Sequence, residues 1–193
     1  MKQNLRIAIL MTLVTTVLFG LLYPLAVTGL GQLLFPSQAN GGLITKNGQI
    51  IGSRLIGQPF SSDTYFHGRP SAAGASYDPV SAGGGASNLG PTNRQLLDRV
   101  KADVVKLHAE NPHSPIPVDL VTTSGSGLDP DISPAAAEFQ VPRVSRARRV
   151  SEAALRSLIA KHLLPRQLGS LGEPRINVLE LNLDLDAIYP LLK

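Results

Sequence analysis

The chain has 193 residues, a formal charge of +4, 5% aromatic residues, no tryptophan and no cysteine. The missing cysteine excludes disulfide scaffolds, thiolate catalysis and cysteine-ligated zinc. The thin aromatic content leaves no platform on which bases could stack, so no nucleic-acid partner is expected. In chain order, the first element is an apolar stretch. Lys2 and Arg6 precede it, and no further charge occurs until Lys46. A hydrocarbon core needs about 20 helical residues, and Ile7 to Phe35 exceeds that. A cleaved signal peptide would carry an apolar region of roughly 7–15 residues, shorter than this one. The expected division is therefore a short N-terminal segment over 1–6, a transmembrane helix over 7–35 and a soluble domain over 36–193. With cations before the span and none just after it, the positive-inside rule puts 1–6 in the cytoplasm and 36–193 across the membrane.

Ala8, Thr12, Thr16 and Gly20 recur every four residues along that helix. Such a stripe lets helix backbones approach closely in lipid, where apolar burial between helices drives nothing. A partner-packed helix and a plain anchor both fit the stripe. Pro24 removes the bond to the Gly20 carbonyl and should disturb the helix there.

Beyond Pro36, "LITKNGQIIGSRLIG" reads as a β-hairpin. Asn47-Gly48 suits a type I′ turn between strands at Leu43–Lys46 and Gln49–Ile56. Gln58 to Gly90 is polar and rich in Gly, Ser and Pro without the charge density of disorder, so an ordered irregular loop is expected. A helix should run from about Pro91 to Glu110, with Leu96, Leu97, Val100, Val104 and Leu107 on one face, ended by Asn111-Pro112. Val118 to Val121 is a short apolar run before a turn-rich connector. Ser133 and Pro134 mark a helix start that Pro142 should interrupt, and Ser151 opens another helix, with Leu155, Leu158, Ile159 and His162 on one side. "LELNLDLD" alternates, with Leu179, Leu181, Leu183 and Leu185 on one side, as a half-buried strand does. Strands at both ends with helices between them predict an α/β or α+β soluble domain.

Several stretches could carry chemistry. "GGGASNLGPTN" (83–93) offers Gly85, Gly90 and Thr92 at phosphate-loop spacing, but Pro91 stands where the lysine belongs and brings neither charge nor N–H. A turn feeding a helix is the favoured reading. A weak anion or nucleotide contact through Ser87, Asn88 and Thr92 at the helix N-terminus is the alternative. "SGSGLDPD" (124–131) lacks both the G-x-S-x-G frame and the alternating ligands of an EF-hand, so it reads as a turn. His67, His108, His113 and His162 show no zinc-like spacing, and no metal site is expected. Tyr65, Phe66 and Arg69 in "YFHGRPS" fit partner contact and loop packing equally, since aromatic and arginine side chains often anchor interfaces. Arg143, Arg146, Arg148, Arg149, Arg156, Lys161 and Arg166 could face lipid headgroups or an acidic partner, or form a solvated helix face.

Taken together, "GSRLIGQ" (52–58), "YFHGRPSA" (65–72), "SNLGPTN" (87–93), "DLVTTSGSGLDPDISPAAA" (119–137), "QVPRV" (140–144) and "LGEPRINVLELNL" (171–183) resemble the C subunit of the bacterial Kdp potassium-transporting P-type ATPase, the KdpC family. The sequence departs from that family at Asp131, where histidine is usual, and at Ala86, which breaks a Gly-Gly-Ser-Asn wording. The resemblance implies a non-catalytic, single-pass subunit of the inner membrane. Its partners would be a channel-like potassium-translocating subunit, a P-type ATPase subunit, a small membrane subunit and the bilayer. Neither an Asp-Lys-Thr-Gly phosphorylation motif nor a Thr-Val-Gly-Tyr-Gly filter occurs in the sequence. The resemblance implies no covalently bound cofactor; ATP would act at the level of the complex. It also implies a "catalytic chaperone" role that promotes ATP use. With the domain across the membrane from ATP, that effect would be indirect, the alternative being direct ATP binding at Ser87, Asn88 and Thr92.

Overall fold

The apolar N-terminal stretch is one long helix in three parts: α1 (Lys2–Thr15), a π-helical stretch (Thr16–Leu22) and α2 (Tyr23–Leu34). The computed structural model describes residues 1–74, 77 and 85–191. The wide turn lies just ahead of Pro24, and the Tyr23 N–H bonds the Leu18 carbonyl five residues back. The disturbance expected at Pro24 takes this form, since a π turn re-registers the carbonyls that a proline ring would otherwise meet. The helix has a mean hydropathy of 2.2 over its most apolar window and is long and apolar enough to cross a membrane. None of its residues is buried.

After α3 (Pro36–Ala39), a hairpin of β1 (Leu43–Lys46) and β2 (Gln49–Ser53) follows. Asn47 and Gly48 have φ of 53° and 77°, the positive values a type I′ turn demands. The second strand stops at Ser53, short of the expected Ile56. The chain divides into two compact units, Met1–Ile51 and Gly52–Lys193.

The second unit opens with the irregular segment anticipated from composition; among its described residues from 54 to 93 there is neither helix nor strand. Then come α4 (Arg94–Glu110), a 3-10 turn (Val118–Leu120), β3 (Asp131–Ile132), α5 (Pro134–Arg148), α6 (Glu152–Lys161), β4 (Ile176–Asn177) and α7 (Val178–Ile188). Strands β3 and β4 pair antiparallel, Asp131 opposite Asn177 and Ile132 opposite Ile176. Mixed helices and small sheets thus answer the α/β or α+β expectation, with far more helix than strand.

Three local expectations need correction. The helix anticipated from Pro91 begins at Arg94. The Asn93 side chain caps it by accepting from the Gln95 N–H, while Pro91 and Thr92 are the middle of a turn closed by Asn93 N–H to the Gly90 carbonyl at 3.0 Å. Pro142 does not interrupt α5, because the flanking Val141, Arg143 and Val144 are all buried. That packing outweighs the roughly 3 kcal/mol an interior proline costs. The alternating leucines form no strand. They lie in α7, capped by Asn177, where Val178, Leu181, Asn182 and Leu185 make the buried face at helical spacing. Leu179 is also buried and Leu183 only half-buried, so the alternation coincided with a helical face that includes one asparagine.

The core lies where α5, α6 and α7 meet. Ala136, Ala137, Val141, Val144, Leu155, Ile176, Leu181 and Leu185 are wholly enclosed. Ser133 and Ser151 cap α5 and α6 as their sequence positions predicted. Asp119 in turn accepts from both the N–H (2.7 Å) and the Oγ (3.1 Å) of Ser133, tying the 3-10 turn to the start of α5.

Candidate functional site

The motifs singled out in the sequence converge on one side of this core as a loop cluster. Its centre is the segment around Tyr65 to Arg69, which has no ladder partner and is held by side chains instead. Asn182 accepts from the Phe66 N–H and donates to the Phe66 carbonyl, both at 2.9 Å. Gln140 does the same for His67, at 2.7 and 3.1 Å. Arg143 donates to the Asp63 carbonyl (2.6 Å), the Tyr65 carbonyl (2.9 Å), Gln140 Oε1 (2.6 Å) and Glu110 Oε1 (2.9 Å). Arg148 donates to the Thr64 carbonyl and to Asp186, and lies over the Tyr65 ring at 4.7 Å. Buried backbone groups need such partners, and four helix side chains supply them here.

Phe66 is 0% exposed and belongs to the core, so its ring is not a surface contact in this fold. Tyr65 is half-buried; its hydroxyl donates to Asp186 at 3.0 Å, and burial with that carboxylate raises the phenol above its ordinary value. Arg69 pairs with Asp129 at 3.0 Å and donates to the Thr123 carbonyl. His67 donates its Nε2–H to the Ser62 carbonyl at 3.0 Å. Burial and the nearby Arg143 hold its pKa below the ordinary imidazole value.

The glycine-rich stretches meet in the same cluster. Gly85 lies against Ser126 and Gly127 so closely that a Cβ on Gly85 or on Gly127 would strike the opposing backbone. Gly127 has φ of 69° as well, so its glycine is required twice over. Ser71 Oγ donates to the Gly127 carbonyl, and the Gly57 N–H to the Leu128 carbonyl at 2.8 Å. Gly83 and Gly84 lie outside the described residues. Ser87 is half-buried, whereas Asn88 and Thr92 are exposed on the turn that leads to α4. A cleft of about 380 Å3 separates the Tyr65 to Arg69 segment from α4, lined among others by Phe60, His67, Arg69, Lys106 and Glu110.

The basic run is largely spent inside the domain. Arg143 and Arg148 are buried on Glu110 and Asp186. Arg156 pairs with Glu138 and Glu152, Lys161 with Asp184, and Arg166 with Glu173. Only Arg146 and Arg149 of the run remain exposed with no carboxylate partner among the described residues. Asp131 pairs with Arg175 at 2.9 Å. Burial and the neighbouring Asp129 still raise its pKa above the ordinary carboxylate value.

In the first unit, the stripe residues interact along the helix. Thr12 Oγ1 donates to the Ala8 carbonyl at 2.9 Å, and the Thr16 methyl lies beside Gly20. Sequence reasoning missed Gln140, Asn182, Arg143 and Arg148 as the clamps of the Tyr65 loop. The available signal was a polar residue interrupting an otherwise apolar helix face, as Asn182 does between Leu181 and Leu185.

Comparison with known proteins places the whole chain. The model of the family described as "KdpC: K+-transporting ATPase, c chain" matches residues 5–187. The chain is 60% identical over 191 residues to the "Potassium-transporting ATPase KdpC subunit" of Koribacter versatilis, covering 99% of this chain and 98% of that one. It is 58% identical to the protein of the same name in Rhodopseudomonas palustris (97% and 99% covered) and 56% identical to that of Bradyrhizobium diazoefficiens (96% and 98%).

Proposed function

This chain belongs to the KdpC family of potassium-transporting ATPase subunits, and from that premise we propose that it is a non-catalytic accessory subunit held in the membrane by its N-terminal helix. The observation that carries the proposal is the 33-residue apolar helix, none of which is buried in the chain itself. Its side chains require an external apolar phase, lipid or the helices of other subunits. The stripe Ala8, Thr12, Thr16 and Gly20, with the wide turn before Pro24, supplies the face on which backbones of partner subunits approach.

Lys2 and Arg6 stay on the cytoplasmic side and residues 36–193 lie across the membrane. The soluble unit stabilises assembly of the channel-like, P-type ATPase and small membrane subunits. It promotes ATP use from a distance, through a preference for one conformational state of its partners. The segment Ser87 to Thr92 enters this reading as a turn. Pro91 replaces a phosphate-loop lysine, and Asn93 already occupies the N-terminus of α4.

The test compares the ATP dependence of the assembled complex with and without this chain. Apparent affinity for ATP should fall when the chain is withdrawn; equal affinity would end the chaperone reading. Saturable ATP binding by the chain alone, abolished by Ser87→Ala with Thr92→Val, would replace it by direct binding.

A further inference from the structure

Between α6 and β4 the chain projects a small antiparallel finger whose base is tied to the domain by Arg175 and Asp131 and whose tip is left exposed. Leu164 and Arg175 exchange backbone bonds at 2.9 and 3.0 Å, and Gln167 and Leu171 exchange a second pair at 2.9 Å. The turn between them is closed by the Ser170 N–H on the Gln167 carbonyl, and its central residues Leu168 and Gly169 have φ of 51° and 78°.

Leucine is an unsuitable occupant of the first of these positions. The left-handed conformation pushes its Cβ against the carbonyl, and turns of this kind select Asn, Asp or Gly there. Leu168 is also 92% exposed, and Leu163, Leu164 and Leu171 are exposed beside it. The free chain thus bears both backbone strain and apolar hydration at Leu168, with almost none of the side chain covered to offset either. Strain of this sort clusters at ligand clamps and other sites of use.

The charges around the tip identify what it meets. Every charged side chain from 163 to 175 is already paired: Arg166 with Glu173 at 2.6 Å, and Arg175 with Asp131 at 2.9 Å. No free cation remains there for anionic headgroups, and the finger carries no aromatic residue for a membrane interface. A neutral, leucine-tipped protrusion matches an apolar, uncharged pocket on a protein. We propose that the 164–175 finger docks Leu168 into such a pocket on another subunit of the potassium-transporting ATPase. This rests on the reading of the chain as an assembled subunit.

The test uses full-length chains competing for incorporation into the detergent-solubilised complex. Leu168→Gly and Leu168→Asn should each lower incorporation about tenfold against wild type, as expected for the loss of a buried leucine. The thermal midpoint of the free chain should hold or rise, because both residues relax the turn. Incorporation equal to wild type overturns the finger while leaving the subunit reading intact; failure of wild type itself to incorporate ends both. Because the chain has no cysteine, Leu168→Cys carrying a photo-crosslinker gives an independent readout. A covalent product with another subunit supports the docking; a product with lipid, with a second copy of this chain, or with nothing overturns it.

Discussion

Two leucine-rich helices in this chain meet opposite fates. In α7, Val178, Leu179, Leu181 and Leu185 are buried by the domain's own helices. In the helix from Lys2 to Leu34, no residue is buried at all. The residue types are alike, and the force that removes them from water is the same. What differs is the apolar phase: α7 interrupts its leucines with Asn182, Asp184 and Asp186, whose polar groups find partners inside the unit. The N-terminal helix has no charge after Arg6 and must find its partner elsewhere. Carboxylates set among the leucines are therefore the mark of a self-sufficient fold here, and the absence of charge after Arg6 the mark of a segment that needs another medium.

That contrast can be broken most forcefully at the loop the polar residues hold. Phe66→Ala, which empties the wholly buried ring position, should cost about 3–5 kcal/mol in urea unfolding of the full-length chain in detergent. Asn182→Leu keeps the volume but strands the N–H and carbonyl of Phe66, and should cost about 2–5 kcal/mol by the same measurement. A loss below about 1 kcal/mol would mean that the clamp is dispensable. Gly127→Ala meets the Gly85 backbone in a left-handed conformation and should cost at least about 1–3 kcal/mol. If the thermal midpoint stays unchanged, the two glycine-rich loops are not held together in this way.

The N-terminal helix predicts the reverse pattern. Gly20→Leu, alone or with Thr16→Leu, should leave the unfolding of the soluble unit unchanged while reducing co-purification of the complex. Equal yields of complex would reduce the stripe to a plain anchor.

A smaller effect concerns pH. His67 has its folded pKa lowered by burial and Arg143, so the fold favours the neutral ring. Its contribution is complete well above the unfolded value of about 6.5 and declines as pH falls through that value toward the folded one. His67→Asn should remove this part of the stability–pH slope, and an unaltered slope would contradict the assignment. Smallest of all, Arg146→Ala and Arg149→Ala should change stability by no more than about 0.5 kcal/mol, since neither has a carboxylate partner among the described residues.

How much the sequence revealed follows the range of the interactions involved. The apolar span, the Asn47-Gly48 turn and the Ser133 and Ser151 caps are local, and each was legible because neighbouring residues alone determine it. Pro142 misled because the packing that carries α5 through it comes from distant segments. The alternation of Leu179 to Leu185 misled because the same leucines satisfy two periodicities, and only Asn182's role in gripping Phe66, 116 positions away, decides between them. The loop cluster was visible as motifs but not as geometry. Nothing near Arg69 announces Asp129 as its partner, or Gly127 as the neighbour of Gly85.

The most direct test of the account is the accessibility of the soluble unit to trypsin in intact spheroplasts. With the cations of Lys2 and Arg6 retained inside, externally added protease should cut within residues 52–191 while a cytoplasmic marker stays whole. A soluble unit that survives until the membrane is permeabilised, under conditions in which a known outer-face protein is cleaved, would contradict the proposed topology and reopen direct contact with ATP.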